Sequence, residues 1–444
     1  MSNVRIQLRR DTAADWTSAN PVLAEGEIGL ERDTDQFKIG DGTTAWSSLA
    51  YAGEKGPQGP SGADAAVFAD GSSFAVVNGS GTATENGTEL VNAYNAAKTA
   101  TPYGNALSSG NRFTVYVGPG TYTIGSQLAV DTDFINILSI DPEESIFLTD
   151  GILVTANTSR LRGIDVGTNA FEGCLDASNL VVENCTGGDY SFGKAVGPSS
   201  AVLGRFTNCT GGDYSFGEGS DAPGTFINCT GGQSSFGYGA NASGIFTNCT
   251  AGGFGNSFGS GGNGIASGTF TDCSTSISSV DQSFGEDAAT GTFINCKAGG
   301  YSFAGTASGT FINCTAGDGS FGDFADATGT FTNCTAGNDS FAFYSDASGA
   351  FTNCTAGGAS FGYSGTASGN FIDCTGGSQS FGRQGPTSGT FTNCTAGNDS
   401  FGDGGTLSGQ VFYSRLTSGT FQTPSSGGVI RLSLDGNNNE VNAG

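Results

Sequence analysis

The apolar positions of this chain recur with a period far longer than that of a single helix or strand. From Val182 onward one phrase returns about every 20 residues. It reads Gly-Thr-Phe-Thr-Asn-Cys-Thr-Ala-Gly, then Ser-Phe-Gly, with the second phenylalanine ten residues after the first. Its anchors are Cys185, Cys209, Cys229, Cys249, Cys273, Cys296, Cys314, Cys334, Cys354, Cys374 and Cys394, and six of the ten steps between them are 20. A fixed period of this length predicts an all-β solenoid in which each coil covers the apolar face of the coil below it.

The pairs Phe331/Phe341 and Phe351/Phe361 suggest two strand-like halves per coil, each with one inward ring, so the rings are expected to stack in two ladders. Parallel strands lie ~4.8 Å apart, which suits offset-stacked aromatics and makes the coils from Cys185 to Ser414 roughly 55–60 Å long. In Phe331-Thr332-Asn333-Cys334, Phe and Cys read as inward and Asn333 as the bend, because Asn tolerates the left-handed backbone region. Stacked asparagines would then bond side chain to side chain. An alternative is a square coil with four five-residue sides, which suits Phe331, Ala336 and Phe341 but places Asp346 on the fourth side. Glycines such as Gly329, Gly337 and Gly349 are expected where the coil bends.

The start of the chain has another pattern. Residues 1–51 alternate as short strands broken by Gly turns and form a small β module. Gly53, Gly56, Gly59 and Gly62 then fall every third residue, with Pro57 and Pro60 between them. Such triplets let three chains pack glycine at a common axis, so residues 52–64 are expected to gather a homotrimer. Residues 65–111 form a connector in which Leu90, Val91, Tyr94 and Ala97 share one helical face, suited to covering the open end of the first coil. Residues 112–181 read as irregular opening coils, 182–424 as the regular solenoid and 425–444 as a C-terminal tail.

Composition sharpens this picture. With 33 Phe against one Met, the core is rigid and aromatic, and the 76 Gly recur at fixed places, so they mark architecture rather than disorder. The formal charge is −25 with no His, and between residues 206 and 382 Lys297 is the one basic residue against thirteen Asp and Glu. Binding to nucleic acid or an anionic membrane is thereby excluded, since both need Lys and Arg against phosphate. No apolar run approaches the ~20 residues needed to cross a membrane. The twelve Cys fall at inward positions, and Met1-Ser2-Asn3-Val4-Arg5 does not read as an export signal, so reduced thiols are expected.

Residues Arg5-Ile-Gln-Leu-Arg-Arg-Asp-Thr12, Leu23-Ala-Glu-Gly-Glu-Ile-Gly29 and Phe37-Lys-Ile-Gly-Asp-Gly42 with Trp46 resemble the amino-terminal module of bacteriophage tail fibres and tropism determinants. Phe113-Thr-Val-Tyr-Val-Gly-Pro-Gly-Thr-Tyr-Thr-Ile124 resembles the opening coil of right-handed parallel β-helices of the pectate-lyase and tailspike kind. The resemblance implies a virion tail fibre or spike assembled in the host cytoplasm. Residues 1–51 would join it to a baseplate, tail or collar protein, and the solenoid would adsorb to a host-surface glycan or protein.

The chemistry for catalysis is sparse. Asp326 and Asp346 lie one coil apart, ~5 Å, a separation that a retaining glycosidase uses, and they make tailspike depolymerase the alternative reading. Without His and with few Arg, acid–base helpers are missing, and binding without cleavage is expected. No motif calls for a cofactor or metal. Insertions at Ser257–Ile265 and Thr275–Asp281 are candidate recognition loops. Outward Thr332/Thr335, Thr352/Thr355 and Thr392/Thr395 imitate an ice-binding ladder, but Ile227, Ile294, Ile312, Ile372 and Lys297 interrupt it.

Overall fold

A computed structural model of the chain describes residues 9–52, 71–141, 145–193, 201–252, 257–259, 261, 264–275, 283–303, 305–425 and 427–444. It divides into two compact units, Met1–Ala65 and Ala66–Gly444. The collagen-like triplets lie outside the described residues.

In the first unit, strand Arg9–Asp11 pairs parallel with Ile28–Glu31, which pairs antiparallel with Phe37–Ile39, and that strand with Tyr51–Ala52. Helix Ala13–Ala19, capped by Thr12, sets Trp16 against Trp46, stacked at 4.2 Å beside Leu23. Gly29 makes room for this pair, and Gly40 lets two stretches of backbone approach. A methyl on Gly29 would strike the Trp46 ring, and one on Gly40 would collide with the Ala24 carbonyl. Lys38 is buried, and its ammonium donates to the Trp46 carbonyl at 2.8 Å while facing the Trp46 and Tyr51 rings.

The second unit is a parallel β-solenoid. One inward column runs in unbroken register from Ala75 through Val115, Ile137, Leu161 and Val182 to Phe206, continues phenylalanine by phenylalanine to Phe391, and ends on Val411 and Ile430. Both ring ladders are present. Phe331 lies 4.8 Å from Phe311 and 4.8 Å from Phe351, and Phe341 lies 4.8 Å from Phe361. The two ladders meet edge to face, at 89° between Phe331 and Phe341.

The second phenylalanine is not on a strand, contrary to the expectation of two strand-like halves. Phe341 has φ 54° and Phe361 φ 56°, and the same left-handed value recurs along that column. Coil-to-coil hydrogen bonding survives there, with the Phe341 amide donating to the Ser320 carbonyl at 2.9 Å. Burying the whole ring between neighbours offsets the steric cost of that backbone, of order 1–3 kcal/mol. The expected asparagine bend is present. Asn333 has φ 55°, and its Nδ2 donates to Asn313 Oδ1 while Asn353 Nδ2 donates to Asn333 Oδ1, each at 2.9 Å.

Gly329 and Gly349 lie at bends, as expected, and serve a second purpose there. Neither has a left-handed φ. A methyl on Gly349 would run into the carbonyl of Gly329, and one on Gly329 into that of Gly309, so these positions are glycine because successive coils touch backbone to backbone.

All twelve cysteines are unpaired and buried. Cys334 Sγ donates to the Phe311 carbonyl at 3.4 Å, linking its coil to the previous one. Burial pushes the Cys185 thiol up to about 12, so it is protonated at neutral pH. Helix Ala83–Lys98, with a capping box from Thr82 and Glu85, buries Leu90, Ala93, Tyr94 and Ala97 against the opening strands Phe74–Val77, Phe113–Val117 and Gly120–Tyr122, while Val91 is half-buried. At the other end strand Val429–Leu434 continues the column and folds antiparallel onto Glu440–Ala443.

Replacing Phe331 by Ala is expected to cost ~3–5 kcal/mol, because the ladders above and below hold the cavity open. Hydrogen exchange should accelerate in the strands from Phe311 to Phe351 and stay unchanged at Phe113–Val117. Uniform acceleration over the whole solenoid would contradict a stack held by nearest-neighbour contacts.

Candidate functional site

Aligning the coils by their second phenylalanine separates columns that repeat from columns that do not. Two and three residues after that ring the chain reads Asp323-Phe324, Phe343-Tyr344, Tyr363-Ser364, Arg383-Gln384 and Asp403-Gly404 in successive coils. These side chains sit where the backbone has left the inner ring ladder, and the aromatic ones form a surface patch. Phe324 is 72% exposed and Tyr344 51%, and their rings stack at 5.1 Å. Phe343 and Tyr363 stack beside them at the same 5.1 Å, and Phe343 meets Tyr344 edge-on at 4.0 Å.

Polar groups continue the columns. Tyr363 Oη accepts from Arg383 Nη1 and Gln384 Nε2, both at 3.1 Å, and Arg383 approaches Asp403 at 3.9 Å. At the opposite edge Asp323 is buried. Burial first and the charge of Asp339 second push its carboxyl up to about 6, while burial and Asp318 raise Asp339. Reading for repetition passes over all of these residues, because they lie in the columns that vary.

Asp326 and Asp346, the pair singled out in the sequence, lie on successive coils and face the backbone. Asp326 Oδ1 accepts the Asp346 amide at 3.0 Å, and Asp346 Oδ1 accepts the Thr366 amide at 2.7 Å. Asp318 does the same for Asn338, and Asn338 for Gly358. Such bonds fasten coil to coil. On another face, Ser348, Gly349, Ser368, Gly369, Ser388 and Gly389 line an open groove of about 490 Å³. Its floor is bare backbone, as the glycine contacts require.

The outward threonines Thr335, Thr355 and Thr375 are bridged in register, and Lys297 continues their row. Much of the two insertions, including residues 276–282, lies outside the described residues. Among the described residues, no three His, Cys, Asp or Glu are grouped to hold a metal ion, and no helix is long and apolar enough to cross a membrane.

Residues 6–44 match the family described as the major tropism determinant N-terminal domain. The chain is 45% identical over 48 residues to a hyaluronoglucosaminidase of Streptococcus pyogenes phage H4489A, and 42% identical over 48 residues to one of phage H10403. Those matches cover 11% of this chain, with 13% and 14% of the relatives, so the chain spans only a small fraction of their length. No solved structure matches it.

The raised Asp323 carboxyl gives a stability test. The folded state holds this proton more tightly than the unfolded chain. Its contribution is therefore complete below the ordinary carboxylate range and is lost as pH rises through about 6. Asp323→Asn, which carries no charge, is expected to melt above the parent protein at pH 7.5 and together with it at pH 4. A difference independent of pH would show that Asp323 is not buried as the structure has it.

Proposed function

We propose that this chain is a trimeric appendage of a phage virion, a tail fibre or spike that adsorbs to the host surface. The observation that carries the reading is the match of residues 6–44 to a tropism-determinant N-terminal domain in a chain whose remainder is a β-solenoid. The β module of residues 1–51 attaches the protein to a baseplate, tail or collar component. Residues 52–64 gather three copies, and the coils display outward columns to a host glycan or protein. Assembly takes place in the host cytoplasm, where buried thiols stay reduced.

Adsorption is favoured over depolymerisation by the fate of the carboxylates. Asp326 and Asp346 are spent on backbone amides of the next coil, and the chain holds no His to share a proton. The phage relatives named for hyaluronan cleavage match over a stretch too short to carry that activity across.

Labelled full-length protein is expected to sediment with at least one strain in a panel of bacteria that includes Streptococcus pyogenes, and to leave envelope polysaccharide and hyaluronan at their original length. Shortening of either polymer, abolished by Asp326→Asn, would make the protein an enzyme. In light scattering the full chain is expected to run at three times the chain mass, and the chain lacking residues 1–64 as a folded monomer. A monomeric full chain would remove the trimer, and a trimeric truncation would move the contact into the solenoid.

A further inference from the structure

The rings of Phe324 and Tyr344, exposed, and of Phe343 and Tyr363, half-buried beside them, lie outside the repeating columns that build the coils. They stack from coil to coil, but outside the inner ladders, so they cover no core. Contiguous apolar surface of this kind on a soluble protein marks a binding site. We infer that this patch is a glycan-binding platform for uncharged sugars of the host envelope, an inference that rests on the adsorption reading above.

The geometry suits a sugar. A pyranose presents a face of polarised C–H bonds edged by hydroxyls, and the electron-rich face of an aromatic ring attracts such hydrogens. Phe324 and Tyr344 form one stacked column and Phe343 and Tyr363 a second, joined by the edge contact at 4.0 Å, so the rings are fixed before any ligand arrives. Rings held this way lose little freedom on binding. Polar groups that meet hydroxyls follow within one or two coils, at Tyr363 Oη, Ser364 and Gln384.

Charge narrows the class. Arg383 is the one basic residue between positions 298 and 414, and Asp403 lies against it. Asp326 and Asp346 add negative charge on the same coils. An anionic polymer such as hyaluronan is repelled, and so is a phosphate-bearing one. A protein partner or a second copy of this chain needs roughly 800 Å² from each side. The patch instead occupies the outward columns of only three coils, a size suited to a few sugar rings.

The test uses the full-length protein with cellohexaose, maltohexaose and a β-1,3-glucan hexamer as neutral probes and a hyaluronan hexamer as the charged one, followed by saturation-transfer NMR and calorimetry. At least one neutral probe is expected to bind and the hyaluronan hexamer not to. Phe324→Ala combined with Tyr344→Ala should weaken binding about tenfold or more. Tyr344→Phe should retain it, and Tyr413→Asn, an exposed aromatic outside the patch, should leave it unchanged. The double variant removes only exposed rings, and an unchanged thermal midpoint verifies its fold. Preference for the hyaluronan hexamer, binding indifferent to the double variant, or no binding by any neutral probe would overturn the inference. So would loss of the trimer in the double variant, which would make the patch a contact between copies. If the double variant still sediments with cells as the parent does, the platform fails while adsorption stands. If the parent protein never sediments with cells, it is the adsorption reading that fails.

Discussion

Everything in the solenoid answers to one spacing, the distance between hydrogen-bonded parallel strands. Backbone bonding sets it near 4.8 Å. An inward side chain repeated in each coil must pack against its own copy at that distance, and few can. A flat aromatic ring does so by stacking, at 4.8 Å between Phe311 and Phe331. A cysteine is small enough to reach the previous coil's carbonyl, and an asparagine spans the gap with one amide. The glycine columns answer to the same distance from its opposite side, where backbone meets backbone and no side chain fits.

This is why so much of the fold was legible in the sequence. Period, inward Phe331 and Cys334, and the left-handed bend at Asn333 are properties of a unit that must match its own copy, and repetition prints them plainly. What repetition could not reveal was local backbone shape. Aromatic residues favour extended backbone, so nothing in Ser340-Phe341 announces φ 54°, which only the packing of a finished coil imposes. Gly349 was legible as a bend but not as a contact, since a close approach between residues 20 apart has no local signature.

The candidate site shows the reverse relation. Asp326 and Asp346 stood out in the sequence because they recur, and recurrence reflects their work in fastening coils. Phe324, Tyr344 and Asp323 were invisible for as long as the coils were read as copies. Their importance lies in differing from the residues at the same place in neighbouring coils. In a chain so constrained inside, the outward columns that fold-level spacing leaves free are where selection for recognition has room to act.

The asparagine ladder gives the solenoid a sense of direction. Each Nδ2 reaches back to the coil before it and each Oδ1 waits for the coil after it, so the links are one-way. Asp272 and Asp373 fit this order in half its role, accepting from Asn295 and Asn393 but having no amide to offer the coil behind. A stack that has just completed a coil therefore ends on an unfilled acceptor, the same at every step. Its two ends are chemically unlike, and the stack is a polar filament in the way a strand of nucleic acid is, with an order of coils that cannot be reversed.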